Sequence, residues 1–321
     1  MSQKSPISFG SKRAKYLNRL VTTLASPFEA FLESRTNPKE SAVCFIVGPP
    51  RSGTTLLYEM IVTRFQCGYF TNLAKRLFEV PVVATWICRN EMRRRSGSFD
   101  SVYGELDGNA APSEAGRIWR FWMPYAAPYS FDLPGVSPKR IHRKIAAICR
   151  LAGGPMIVKN PILQSDIPAI TEMFPEAVFL HIERDWADNA RSLMGLRAKR
   201  TPEDDTGWVS LRPSGWETYA SADALTQSCV QVMLSHKDIE TYLEGPRRAG
   251  RLMKIRYDIL CEKPDTVLDE IEAFLAANNI AITRKPFSQK GLNIEPRKPP
   301  TDDTQTKIQA CLEDLSGRTQ A

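Results

Sequence analysis

The sequence predicts an α/β fold in which helices cover both faces of a central parallel sheet, giving three layers, α/β/α. Short apolar runs alternate along the chain with longer helical patterns, as expected when crossover helices join parallel strands. Four runs have the length and composition of buried strands, at 43–47, 156–158, 177–182 and 251–257. No internal repeat and no long linker interrupts this pattern.

The composition is typical of a globular protein. The chain has 321 residues, 42% of them hydrophobic and 25% charged, enough for a large core. Its net charge of +7 favours anionic ligands, such as a nucleotide or an acidic acceptor, but is too diffuse to indicate nucleic acid. The seven cysteines never form C-x-x-C, so we expect neither a zinc site nor a disulfide framework, and a cytoplasmic location. No apolar stretch is long enough to predict a transmembrane helix.

The sequence predicts one main domain with a peripheral extension. Residues 1–40 are expected to form a helical extension, in which 16–33 have helical spacing. A helix packed on the domain and a helix lying on a membrane surface are both compatible with it. Residues 41–321 are expected to form the single domain, with an insertion of loops and helices at about 66–150.

Helical spacing and capping residues predict the remaining elements. Ser137 and Pro138 suit an N-cap and a first helical position, and Gly153-Gly154 suit the end of that helix. Residues 199–216 are polar and are expected to form a mobile flap, and the residues after 286 form a polar, proline-rich tail. The predicted helices span 54–65, 72–90, 138–152, 164–174, 186–197, 220–243 and 264–277.

A phosphate-binding loop is predicted directly after the first strand. Gly48 and Gly53 bound a tight loop, and Thr54 begins the next helix, so backbone N–H groups and the helix dipole would face an anion. The spacing has the frame of a P-loop, G-x-x-x-x-G-K-[ST], which makes the predicted fold P-loop-like. Thr54 replaces the lysine of that motif, which disfavours an ATP-hydrolysing site, and Arg51 supplies a cation inside the loop.

Cations follow three of the predicted strands. Arg51 comes after the first strand, Lys159 after the second and Arg184 after the third. In an open α/β sheet the carboxyl ends of the strands form the ligand-binding edge. Three cations at one edge predict a polyanionic ligand.

The loop resembles that of a known family. Arg51, Ser52, Gly53, Thr54 and Thr55 match the 5′-phosphosulfate loop, P-[KR]-S-G-T-T, of the sulfotransferases that use 3′-phosphoadenosine 5′-phosphosulfate (PAPS). The arginine and the following Leu-Leu make the stretch most similar to bacterial members with R-S-G-T-T-L-L.

Two further segments resemble the same family. Arg184 and Ser192, eight residues apart, match its 3′-phosphate motif. Tyr257 matches the tyrosine near the adenine in the Y-E-D-L segment, although Asp258 and Ile259 depart from that pattern. The order of these motifs matches the family over about residues 42–280.

The resemblance implies transfer of a sulfuryl group from PAPS to a hydroxyl or amine of an acceptor, possibly a carbohydrate or small molecule, without a metal. It implies that Arg51 and the loop amides hold the 5′-phosphate and sulfonate, that Thr54 and Thr55 add hydrogen bonds, and that Lys159 stabilises the bridging oxygen. The insertion at 66–150 would then shape the acceptor pocket.

The acceptor proton requires a base. The candidates are Glu114, Glu79, Asp107 and His142, although His142 stands among basic residues typical of a solvated helix face. Glu114 is favoured because it opens the aromatic-rich segment 112–131, which could form core or line the acceptor pocket.

Two other functions compete with this one. A P-loop small-molecule kinase would require the missing lysine and an acidic Mg²⁺ site at a strand end. A non-catalytic protein that binds nucleotides or sulfated glycans would use the fold without the chemistry.

Overall fold

Four parallel strands form the central sheet of this computed structural model, which describes residues 12–95, 107–123, 135–199, 206–245, 248–286, 294 and 302–320. Two short strands form a separate antiparallel pair. The strands are β1 (Val43–Val47), β2 (Phe65–Gln66), β3 (Met156–Lys159), β4 (Val178–Glu183), β5 (Leu252–Arg256) and β6 (Thr283–Arg284).

Helices account for most of the remaining described chain. They are α1 (Lys12–Ser34), α2 (Thr54–Arg64), α3 (Asn72–Arg76), α4 (Pro81–Arg94), α5 (Gly116–Trp122), α6 (Pro138–Ala152), α7 (Ile167–Met173), α8 (Trp186–Arg197), α9 (Ala224–Leu243), α10 (Tyr257–Glu262), α11 (Pro264–Ala277) and α12 (Asp303–Gln320).

The central sheet has the strand order β3-β1-β4-β5, and each adjacent pair is parallel. In the register, Ile46 on β1 lies between Lys159 on β3 and Leu180 on β4. The carboxyl ends of all four strands therefore meet at one edge. The loop that follows β1 lies at this edge, between the carboxyl ends of β3 and β4. Open α/β sheets bind ligands at such a position.

Alternate residues of β1 pack on opposite faces of the sheet, which confirms the predicted three layers. Val43, Phe45 and Val47 face a core shared with α4, α5, α6, α7 and α9. Cys44 and Ile46 face a second core shared with α2, α10 and α11. All five residues are buried, as expected for a parallel strand covered on both sides.

Two of the predicted helices are wrong in extent. The single helix expected over 72–90 is two helices, α3 and α4, because Pro81 suits the first turn of a helix and not its interior. The helix expected over 164–174 is a 3-10 turn, Pro161–Asp166, followed by α7. The sequence predicted no helix in the polar, proline-rich tail, which contains α12, and this helix packs on α8 and α9.

The described part of the predicted flap contributes buried side chains, although Lys199, Ser214 and Gly215 are exposed. Residues 206–216 carry Trp208 and Val209, which are buried against α8, α9 and α12. The Nε2 amide of Gln231 donates to the carbonyl of Val209 at 2.9 Å. Residues 200–205 lie outside the described chain.

α1 packs against α4 and α6. The expected division between an extension at 1–40 and a domain at 41–321 stays a prediction. None of the helices in the described ranges is long and apolar enough to span a membrane.

Candidate functional site

The loop after β1 requires its two glycines. A Cβ on Gly48 would lie 2.7 Å from the carbonyl oxygen of Ile182, closer than real contacts allow. Gly53 has φ +108°, and a Cβ there would lie 2.5 Å from the ring of Tyr257. Arg51 itself adopts φ +73°, a left-handed conformation that costs a non-glycine residue about 1–3 kcal/mol. The chain therefore holds Arg51 in a strained turn at the edge of the sheet.

Two buried amides from neighbouring segments fix this loop. The N–H of Gly48 donates to Oε1 of Gln164 at 2.8 Å, and Nδ2 of Asn189 donates to the carbonyl of Pro50 at 2.7 Å. Gln164 follows β3 and Asn189 follows β4, so each flanking strand supplies one anchor. Sequence reasoning missed both residues, and their places shortly after predicted strands were the only signal for them.

Hydrogen bonds join the loop to the predicted 3′-phosphate pair. Nε of Arg51 donates to Oγ of Ser192 at 3.3 Å. A terminal nitrogen of Arg184 donates to the carbonyl of Arg51, also at 3.3 Å. Residues that are more than 130 positions apart in the chain thus form one cluster, and two of its members are cations.

Tyr257 belongs to the same cluster. It is the first residue of α10 and not, as predicted, the last of a strand. The guanidinium carbon of Arg184 lies 4.9 Å from the centre of its ring, a cation–π distance. The ring also approaches Gly53. The structure therefore places the loop, Arg184, Ser192 and Tyr257 side by side.

Polar groups lie at the start of α2, next to Gly53. Gly53 is the N-cap, and the first N–H groups of α2 have no acceptors within the helix. Ser52 is fully buried, and its Oγ has no hydrogen-bond partner in the described chain. Thr54 is buried and Thr55 half-buried at the first turn. Unused donors next to two arginines are suited to an anion.

Lys159 and Glu114 are in direct contact. Lys159 is the last residue of β3 and is buried, and its Nζ forms an ion pair with Oε1 of Glu114. Nδ2 of Asn160 donates to the carbonyl of Glu114 at 2.8 Å, which fixes the backbone beside α5. The side chain of Glu114 is 43% exposed. The sequence did not predict the contact between Glu114 and Lys159, or the hydrogen bond from Asn160 to Glu114.

The competing base candidates lie in other surroundings. His142 is not on a solvated face as expected, because its ring nitrogens hydrogen-bond to Ser41 Oγ at 2.7 Å and to the carbonyl of Met173 at 2.9 Å. Asp107 is exposed and Glu79 half-buried.

The aromatic-rich segment contributes core. Trp119 and Trp122 are fully buried and pack edge-on against Phe70, so both belong to the core and do not line an open pocket. Residues 124–131 of the segment lie outside the described chain.

A family model decides the identity. Residues 44–278 match the model described as the sulfotransferase family, and they include every predicted site residue. The chain belongs to the sulfotransferase family. It is therefore a transferase. No curated protein matches the chain.

Solved sulfotransferases also align with this enzyme. Sulfotransferase STF9 from Mycobacterium avium aligns at TM-score 0.48 and 16% identity, covering 97% of this chain and 79% of that one. Sulfotransferase STF1 from Mycobacterium tuberculosis H37Rv aligns at TM-score 0.44 and 13% identity, covering 95% of this chain and 82% of that one. A sulfotransferase from Alicyclobacillus acidocaldarius aligns at TM-score 0.40 and 15% identity, covering 85% of this chain and 94% of that one. The family assignment rests on residues 44–278 alone.

This sulfotransferase also contains a buried histidine pair that sequence reasoning missed. Nε2 of His181 on β4 lies 3.1 Å from Nδ1 of His236 on α9, and Trp186 stacks on His236. The pKa of His181 is lowered to about 3, mainly by burial and also by His236 and the ammonium of Lys254, and the pKa of His236 is lowered to about 4 by burial and by Lys254. Both rings are therefore neutral at physiological pH.

With Glu183, the histidine pair forms a group of potential metal ligands, whose atoms lie within 4.8 Å of one another. The ammonium of Lys254 lies 3.8 Å from the carboxylate of Glu183, and its positive charge would repel a metal cation bound at this group. We assign the pair a structural role beneath α8, and the expectation of a metal-free reaction stays a prediction.

Proposed function

We propose that this sulfotransferase transfers a sulfuryl group from PAPS to a hydroxyl or amine of its acceptor. The observation that carries the proposal is the cluster in which Arg51, Ser192, Arg184 and Tyr257 meet at the carboxyl edge of the sheet. A nucleotide with phosphates at both its 5′ and 3′ positions requires two anion sites close together, and this cluster offers an arginine for each.

The loop and the start of α2 would hold the 5′-phosphosulfate. The loop amides and the helix dipole act on an anion without needing a lysine. Arg51 adds a full positive charge, and the buried Oγ of Ser52 adds a donor that has no other partner in the described chain. Thr54 and Thr55 contribute hydroxyl groups at the first turn of α2.

Arg184 and Ser192 would hold the 3′-phosphate, and Tyr257 the adenine. A guanidinium binds two phosphate oxygens at once, and a serine hydroxyl adds a neutral donor. The ring of Tyr257 offers a flat surface for a base, as aromatic side chains do in other nucleotide sites. The contact between Arg184 and Tyr257 would hold the guanidinium and the ring at a fixed separation.

Lys159 and Glu114 would carry the transfer step. The S–O bond to the bridging phosphate oxygen breaks while the acceptor oxygen or nitrogen bonds to sulfur, and the acceptor proton passes to the carboxylate of Glu114. Lys159 neutralises the charge that develops on the bridging oxygen. The transition state of such a transfer is loose and charged, so positioning and electrostatics supply most of the catalysis.

The direct test is a transfer assay with sulfur-labelled PAPS and a panel of phenols, sugars and amines. Labelled product that requires PAPS, and that Lys159→Ala abolishes, would support the proposal. Turnover of ATP with Mg²⁺ instead of PAPS would overturn it in favour of a kinase. Binding of PAPS without product from any acceptor class would favour a non-catalytic binding protein.

A further inference from the structure

The helix α1 buries two carboxylates on the side that also places Leu32 in the core. Glu29 and Glu33 are buried, and both form ion pairs with the buried Nζ of Lys144 on α6. The carboxylate of Glu29 also accepts the N–H groups of Val82 at 3.2 Å and Val83 at 2.7 Å, at the start of α4. These contacts fix the rotation of α1 about its own axis.

That rotation leaves an apolar stripe of α1 in water. Leu24 is 72% exposed and Phe31 49% exposed, in the same helix that buries two carboxylates. The stripe continues onto α4 through Trp86, whose ring lies 5.2 Å from that of Phe28. We name this surface the α1/α4 face, and it consists of Leu20, Leu24, Phe28, Phe31, Trp86 and Ile87.

Cations surround the α1/α4 face. The guanidinium of Arg35 lies 4.9 Å from the ring of Phe31, and that of Arg89 lies 4.5 Å from the ring of Trp86. Arg19 and Arg94 are also exposed on the two helices. Among the described side chains of α1 and α4, Glu91 is the single exposed carboxylate, because Glu29 and Glu33 are buried.

A basic cleft borders the same helix. Ala30 and Ser34 of α1 line a cleft of about 330 Å³ together with Lys139, Arg140 and Arg143 at the start of α6. Glu33 also lines it, but Arg140 and Lys144 neutralise that carboxylate. The apolar stripe therefore lies beside a concentration of positive charge.

We propose that the α1/α4 face docks on the surface of an anionic phospholipid bilayer. An exposed helix with a polar side, an apolar side and flanking basic residues can lie in the interface plane, with its apolar side among the acyl chains. The arginines and the basic cleft complement the negative headgroups.

The charge pattern favours a bilayer over a second copy of this chain. A two-fold dimer through this face would bring the arginines of both copies together, with Glu91 as the opposing charge on these helices. The proposal is independent of the reaction that the enzyme catalyses.

The test is co-sedimentation of the full chain with vesicles of phosphatidylglycerol and phosphatidylcholine, compared with pure phosphatidylcholine. The test variants are Leu24→Glu and Phe31→Glu, whose side chains are exposed, so that folding is preserved and can be verified by thermal unfolding. The control is Tyr242→Glu, which places the same charge at an exposed aromatic residue of α9.

We expect the wild-type chain and Tyr242→Glu to bind the anionic vesicles, with binding weakened by high salt. We expect both test variants to lose about tenfold in affinity. Absence of wild-type binding, or equal binding by Leu24→Glu, would overturn the proposal. So would a wild-type dimer that Leu24→Glu converts to a monomer, because the face would then bind a second copy.

Discussion

Nε of Arg51 lies 3.3 Å from Oγ of Ser192 and donates a hydrogen bond to it, which connects the loop after β1 with the helix after β4. The first residue belongs to the proposed 5′ site and the second to the proposed 3′ site. The two anion sites therefore share a hydrogen bond across adjacent parallel strands, and a change at one is expected to affect the other.

Ser192→Ala removes the hydroxyl from this bond and from the proposed 3′-phosphate site. We expect the affinity for 3′-phosphoadenosine 5′-phosphate (PAP) to fall by roughly 3–10-fold, the value of about one hydrogen bond. The affinity for AMP, which lacks the 3′-phosphate, should fall less. Titration calorimetry with both nucleotides measures the difference, and equal losses for PAP and AMP would contradict the assignment of Ser192.

Glu114→Gln retains the size of the proposed base and removes its ability to accept a proton. We expect kcat to fall by about 10²–10⁴-fold, while PAP affinity stays unchanged. The matched control is Glu79→Gln, which should retain activity. Steady-state kinetics with labelled PAPS provides the measurement, and full activity in Glu114→Gln would exclude Glu114 as the base.

Gly53→Ala tests the close approach between the loop and Tyr257. The new Cβ would meet the ring at 2.5 Å and would require φ +108°, so we expect a loss of about 1–3 kcal/mol in unfolding free energy and weaker PAP binding. Gly215→Ala is the control, because Gly215 has φ +82° with no atom within 4 Å of a Cβ. We expect Gly215→Ala to lose less unfolding free energy, about 1 kcal/mol, and to leave the affinity for PAP unchanged. Equal losses measured by denaturant unfolding would show that the ring contact is unimportant.

The histidine pair makes stability depend on pH. The folded-state pKa values of His181 and His236, about 3 and about 4, lie below the ordinary histidine value. The unfolded chain therefore binds more protons below about pH 6.5, so stability is complete above that pH and is lost as the pH falls. The carboxylate of Glu183, the ammonium of Lys254 and the ring of Trp186 surround the pair.

His236→Gln removes one of the two titrating groups. We expect the unfolding free energy of the wild type to fall more steeply between pH 7 and pH 4 than that of the variant, with a difference on the order of 2–3 kcal/mol. Urea unfolding at several pH values gives both curves. Parallel curves would mean that His236 is not held neutral by its surroundings.

The strands and the tight loop after β1 could be predicted from sequence because their signals are local. Val43–Val47 is a continuous apolar run that stops at Gly48, and Gly53 and Thr54 mark the start of α2. Periodicity failed where a local residue or a distant contact decides the structure. Pro81 divides one helical pattern into two, and α12 is ordered by packing on α8 and α9.

The candidate site was predictable only in part, because its supporting residues have no motif. Arg51, Lys159 and Arg184 could be placed at one edge since each follows a strand. Gln164 and Asn189 could not, because an amide that fixes a loop is recognisable only once its partner carbonyl or N–H is known. The pairing of Glu114 with Lys159 depends likewise on a fold that brings them together across 45 residues.

Titration calorimetry with PAP tests the central claim most directly, on the wild type, Arg184→Ala and the control Arg251→Ala. Arg251 forms an ion pair with Glu176 and lies just before β5, at the amino ends of the strands and away from the candidate site. We predict tight binding of PAP that ATP does not match, a loss of about tenfold or more in Arg184→Ala, and none in Arg251→Ala. Absence of PAP binding, or equal binding by Arg184→Ala and wild type, would contradict the account.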